Sequence, residues 1–213
     1  MPLTRRRFNH LLLGTLGVAL RPATAGADLV EGRDWRPLVR PQPPSEPGKI
    51  EVLEFFSYGC PHCAHLNPLI KPWAAALPAD LSFRRVPVTF GRTAWANLAR
   101  LFFALELTGD LERLDQVVFT AVSEQHKNLF TEAAILAWVQ GQGVAVDSFK
   151  EAFNGFTAET QLRLSDGLVK AYGVDAVPMI TVAGRYLVVG DDAKGYEDLL
   201  AIADRLIDKA RQG

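Results

Sequence analysis

Cysteine is scarce in this chain: 213 residues hold two, Cys60 and Cys63. A protein stapled by disulfides spreads them across long loops. A ring closed over three residues would contribute only about 2 kcal/mol by chain entropy, before strain. Cross-linking is therefore a weak reason for this spacing. Long apolar runs are also missing. Residues 11–20 form a short apolar stretch broken by Gly14 and Gly17, well below the ~20 residues of a membrane helix. No excess of basic charge exists, since 23 Lys and Arg stand against 24 Asp and Glu. That balance argues against binding a phosphate backbone. No period of 20–50 residues recurs, which excludes a solenoid. Apolar residues are not scarce: at 48% they suffice for a core in a chain of one-domain length with room for an insertion.

Acidic residues are absent before Asp28, and Arg5, Arg6 and Arg7 precede the short apolar stretch. Pro22 ends that stretch, and Ala25-Gly26-Ala27 offers a cleavage site, with Ala23-Thr24-Ala25 as a rival. Residues 1–27 are expected to be a signal peptide removed on export, near Ala25 or Ala27. Thr4-Arg5-Arg6-Arg7-Phe8 resembles a twin-arginine signal, and a general secretory signal is the other reading. Removal takes away four Arg and no acid, leaving 19 basic against 24 acidic residues and a formal charge of −5. A soluble mature protein in an oxidising compartment, the periplasm, is expected.

Along residues 28–213, an extended stretch at 35–39 precedes a proline-rich turn region holding Pro41, Pro43, Pro44 and Pro47. Residues 50–56 (Ile-Glu-Val-Leu-Glu-Phe-Phe) read as a strand buried on both faces. The cysteines follow at once, leading a helix that runs to about Leu77, and 81–90 reads as a second strand. Between about 93 and 172 the pattern turns helical. Trp95, Leu98, Phe102 and Leu105 recur at helical spacing up to Gly109, and Leu111, Leu114, Val118 and Val122 repeat it. Thr131 is expected to cap a third helix and Asp147 a short fourth, and a fifth runs from about 157 to Gly173. Strands at 179–182 and 185–189 flank an Ala183-Gly184 turn, and a last amphipathic helix covers about 196–211. The expected fold is α/β: a thioredoxin fold, βαβ then ββα, with an all-helical insertion between its halves.

The Cys60-Pro61-His62-Cys63 motif sits at a strand-to-helix turn. Cβ atoms at i and i+3 inside a helix lie about 5–6 Å apart, too far for an unstrained disulfide, which needs roughly 3.5–4.5 Å. With Cys60 at the helix boundary and Pro61 at the first helical position, a disulfide can form. Free backbone N–H groups then face the Cys60 sulfur and favour its thiolate. Cys63, one turn in, becomes the buried resolving thiol. His62 can favour the Cys60 thiolate by its dipole or charge, whereas His65 points elsewhere. Glu54, on a strand among apolar residues, is expected to have a raised pKa and to exchange a proton with Cys63; an acid paired with Lys or Arg at a strand edge is the competing reading. Pro68 inside the helix is read as shape. Haem attachment needs a histidine where Ala64 stands. A zinc site drawing on His62 and His65 would need four ligands within six residues of a helix start, which cannot surround one tetrahedral ion.

Val52-Leu53-Glu54-Phe55-Phe56-Ser57 followed by Cys60-Pro61-His62-Cys63, with Glu31-Gly32-Arg33-Asp34-Trp35 ahead and Ala176-Val177-Pro178 behind, resembles the DsbA family. The Pro-His dipeptide is the most specific element. The resemblance implies that the Val177–Pro178 peptide is cis, lies against the sulfurs and leaves the Val177 backbone to bind extended substrate. It also implies a monomeric disulfide oxidase acting on reduced or unfolded exported proteins and reoxidised by a quinone-linked membrane protein of the DsbB type. No cofactor beyond the Cys60–Cys63 disulfide is implied. Isomerases of this fold carry an N-terminal dimerisation domain, whereas fewer than 30 residues lie between the expected cleavage site and the first core strand. A periplasmic reductase or isomerase, and a non-catalytic thiol chaperone or metal carrier, remain as alternative functions.

Overall fold

The computed structural model describes residues 28–213, so the expected signal peptide lies outside the described residues. Five strands form one mixed sheet in the order β1-β5-β4-β2-β3: β1 (Trp35–Pro37), β2 (Ile50–Phe56), β3 (Leu81–Pro87), β4 (Met179–Val182) and β5 (Tyr186–Val188). β2 runs parallel to β3 and antiparallel to β4, with Glu54 opposite Arg85 on one side and Ile180 on the other. Its central position explains its near-continuous apolar sequence, because both faces are covered. Leu53 and Phe55 face a cluster with Val86, Val88 and Tyr172. Val52 faces one built from Leu66 and Ile70 of α1 (Pro61–Ala75) and Leu206 and Ile207 of α7 (Tyr196–Arg211).

Between β3 and β4 come α2 (Thr93–Thr108), α3 (Leu111–Phe119), α4 (Glu132–Gly141), α5 (Val146–Asn154) and α6 (Phe156–Tyr172). This is the thioredoxin arrangement with a helical insertion that the sequence predicts. The insertion does not pack as a separate body. Its core of Leu98, Leu101, Phe102, Leu105, Phe119, Phe149 and Phe153 is continuous with Phe56, Tyr58, Cys60 and Cys63.

Local signals decide most boundaries. The Thr131 hydroxyl accepts from Ala134 N–H and caps α4, and α6 stops at Gly173 in the left-handed conformation. Ala183 and Gly184 both have positive φ, the twist that suits a two-residue hairpin. Three expectations need correction. β3 ends at Pro87 rather than residue 90, because Pro87 has no N–H to continue a ladder and Phe90 adopts a positive φ of 46°. Asp147 does not cap α5; Ala145 occupies that position, and Asp147 lies in the first turn, where its charge suits the positive helix end. The helix starting at Leu111 gives way after Phe119 to one π turn, Thr120–Glu124, which keeps Ala121 and Val122 buried.

Candidate active site

Cys60 takes an extended conformation (φ −106°, ψ 116°) as the N-cap of α1, with Pro61 in the first turn. No side chain caps this end, so the first amides are free to meet a ligand or a sulfur. Cys60 N–H donates to the Ser57 carbonyl at 3.0 Å, and the Ser57 hydroxyl accepts from Gly59 N–H. Gly59 leaves room for Trp95: a Cβ on it would stand 2.8 Å from Nε1 of the indole, which would have to shift. Cys60 keeps 6% of its surface exposed and Cys63 none. Both are thiols in this structure. The Cys60 thiol donates to the Val177 carbonyl, S···O 3.3 Å, and the Val177–Pro178 peptide is cis. The β4 leader thus lies directly against the exposed sulfur.

The two sulfurs differ sharply. The Cys60 thiol is lowered from 9.0 to about 6, first by a hydrogen bond from Cys63, then by the backbone amides of Cys63 and His62, and least by the His62 charge, with burial opposing. The helix start and His62 both contribute, but the largest contribution comes from the partner thiol. Cys63 is pushed far up, chiefly by burial, then by the hydrogen bond to Cys60 and its charge. A nucleophilic sulfur beside a protonated one is the arrangement that disulfide exchange needs.

Beneath Cys63 lies a buried charge cluster of which only Glu54 is expected from sequence. Glu54 is fully buried, and burial raises its pKa against the pull of Arg85. Arg85 of β3 donates through Nε to Glu54 Oε2 at 2.7 Å and through Nη1 to Asp115 Oδ1 at 2.8 Å. Its guanidinium sits 4.0 Å above the Phe56 ring, with Phe102 and Phe119 nearby. The Tyr58 hydroxyl also donates to Asp115 Oδ1, at 2.7 Å. Glu54 is therefore both buried and paired with an arginine, in a central strand rather than at an edge. Its charge acts on Cys63, and Oε1 has no partner among the described residues. Asp115 was legible as an anomaly: it stands four residues after Leu111 and three before Val118, a carboxylate on an apolar helical face. Arg85 and Tyr58 carried no comparable signal.

His62 is exposed, and its Nδ1 lies 3.0 Å from the Tyr196 hydroxyl at the start of α7. His65 is exposed and takes no part in the site. Pro68 lies inside α1, as does Pro72.

The profile of a family described as "DSBA-like thioredoxin domain" matches residues 66–201. The thiol:disulfide interchange protein DsbA of Azotobacter vinelandii is 38% identical over 199 residues, covering 93% of this chain and 91% of that protein. Its counterpart in Pseudomonas aeruginosa PAO1 is 38% identical over 189 residues, 89% of each. Among solved structures, that of Pseudomonas aeruginosa DsbA superposes with a TM-score of 0.81 over 86% of this chain and 95% of the other. The DsbA oxidoreductase of Xylella fastidiosa, 31% identical, gives 0.78 over 87% and 99%.

Proposed function

The chain belongs to the DsbA-like thioredoxin family of thiol:disulfide oxidoreductases, and from that premise we propose that it works as a net oxidase on reduced proteins exported to the periplasm. The observation that carries this reading is the asymmetry of the pair: Cys60 held toward thiolate and Cys63 toward thiol. The first preference favours the reduced form at neutral pH, where Cys63 is protonated in any case, so the disulfide gives up its oxidising equivalents readily. Each tenfold preference for the reduced form raises the potential by about 30 mV.

A substrate thiolate attacks Sγ of Cys60 and breaks the Cys60–Cys63 bond, and the electron pair passes to Cys63 Sγ, which takes up a proton. Glu54 supplies or receives that proton through its unpartnered Oε1. A second substrate thiolate then attacks the substrate sulfur of the mixed disulfide and expels Cys60 as a thiolate. The substrate leaves with a disulfide and the enzyme with two thiols. The Val177 carbonyl, 3.3 Å from Cys60 Sγ, lies where extended substrate backbone would pair. His62 and Pro61 assist by favouring the thiolate and starting the helix. No cofactor enters this cycle. A quinone-linked membrane protein of the DsbB type serves as the electron acceptor, and the enzyme acts as a monomer.

Trapping free thiols in cells tests the direction of flow. The pair is expected to be mainly disulfide, and to become reduced when the membrane partner is removed. Predominantly free thiols in otherwise normal cells would indicate a reductase or isomerase instead.

A further inference from the structure

Among the described residues, the histidine beside Cys60 has one side-chain hydrogen-bond partner, and it comes from the far end of the chain. Tyr196 opens α7 after the extended Gly195, and Lys194 N–H donates to the Asp198 carboxylate, which ties down the approach to the helix. The Tyr196 ring packs against the cluster that contains Leu66 and Ile70 of α1. From that anchored ring the hydroxyl reaches His62 Nδ1 at 3.0 Å, across 134 positions of sequence.

We propose that Tyr196 is a positioning residue for His62: its hydroxyl holds the imidazole in one orientation beside Cys60 and so tunes the oxidising strength of the pair. An exposed histidine otherwise samples several rotamers and either tautomer, and its effect on the neighbouring sulfur is averaged over them. A hydroxyl can serve both charge states of the ring, donating to a bare Nδ1 or accepting from Nδ1–H. A second observation puts the phenol within reach of the chemistry. Its pKa is raised by burial and then by the charges of Cys60 and Cys63. The phenol thus stays protonated at neutral pH and sits in the field of both sulfurs. The other titratable groups around them are His62 on α1 and, behind Cys63, Glu54 of β2. Glu197 and Asp198 follow Tyr196 in the first turn of α7.

This inference rests on the reading of Cys60–Cys63 as the reacting pair, but its test does not need turnover. Tyr196→Phe keeps the packed ring and removes only the hydroxyl. The glutathione equilibrium of the variant should shift about two- to threefold toward the disulfide, the size of one solvent-accessible hydrogen bond, and the thiolate absorbance should titrate at correspondingly higher pH. The ring nitrogen resonances of His62 should move in the same variant. In a His62→Ala background the Tyr196→Phe change should add nothing, because the tyrosine acts through the histidine. An equilibrium identical to that of the unaltered protein, or a shift that persists undiminished without His62, would overturn the proposal. A pair that proves strongly reducing overall, yet responds to Tyr196→Phe only when His62 is present, would sink the oxidase reading and leave this one standing.

Discussion

Cys60 and Cys63 stand one helical turn apart, yet the regions around them do opposite things. The rim around Cys60 is built from backbone and solvent-facing polar groups: the free amides of α1, the Val177 carbonyl, His62 and Tyr196. It meets a sulfur that carries charge. The floor under Cys63 is built from buried side chains of three elements: Glu54 of β2, Arg85 of β3 and Asp115 of α3, roofed by aromatic rings. It spends its ion pairs on one another and leaves Cys63 an apolar, carboxylate-facing environment that rejects a second negative charge. The helix-start motif supplies only half of the asymmetry. The other half comes from packing the helical insertion against the sheet, which explains why the redox pair belongs to the insertion's core.

The severest way to break this contrast is to remove the floor's cation. Arg85→Met keeps an apolar stem on Phe56 but leaves buried Glu54 without its partner and Asp115 with only the Tyr58 hydroxyl and the more distant Lys71, and should cost about 3–5 kcal/mol in urea denaturation at neutral pH. Adding Asp115→Asn should recover much of that loss, since burial already pushes Glu54 toward its neutral form. If the single variant were as stable as the parent, the floor would not be a coupled unit.

Glu54→Gln should act next most strongly, and on kinetics. Opening of the Cys60–Cys63 disulfide by substrate, the step in which Cys63 takes up its proton, should slow by about tenfold or more while release of the oxidised substrate is retained. Unchanged exchange rates in stopped-flow measurements would reduce Glu54 to a structural partner of Arg85.

The smallest effect is the pH dependence, and it should separate the two regions by sign. The Cys60 value is depressed in the folded state, so its contribution is fully present above the ordinary 9.0 and is lost as pH falls through about 6. At pH 7 linkage gives about 1.4 kcal/mol to the reduced form, and less once solvent screening at the rim is allowed for. The Glu54 value is raised, so its contribution is present below the ordinary 4.5 and is lost as pH rises through the folded value. Urea midpoints against pH should therefore diverge between the reduced protein, which has both titrations, and the oxidised protein, which keeps only that of Glu54. Parallel profiles would remove the rim's titration from the account.

Much of this was legible in short stretches of sequence. The span of β2 follows from its apolar run, and the ends of α4, α6 and the β4–β5 hairpin from Thr131, Gly173 and Ala183-Gly184. The position of Cys60 at the start of α1 follows from Pro61, because a proline fits the first turn and no other part of a helix so well. Where the reading overran, a backbone detail was responsible. β3 stops at Pro87, a residue plain in the sequence, whereas the positive φ of Phe90 beyond it is not betrayed by the composition of residues 81–90.

By itself, then, the sequence determined the elements, their order and the nucleophile, because caps, turns and the spacing of two cysteines act over a few residues through local backbone chemistry. Only the tertiary structure decided who surrounds them. The partners are 31 residues apart for Glu54 and Arg85, 57 for Tyr58 and Asp115, and 134 for His62 and Tyr196. No local rule selects one buried arginine or one surface tyrosine over another at such separations. Their meeting is fixed by the parallel register of β2 with β3 and by the docking of α3 and α7 against the start of α1, and burial at those contacts is what sets the two sulfurs apart.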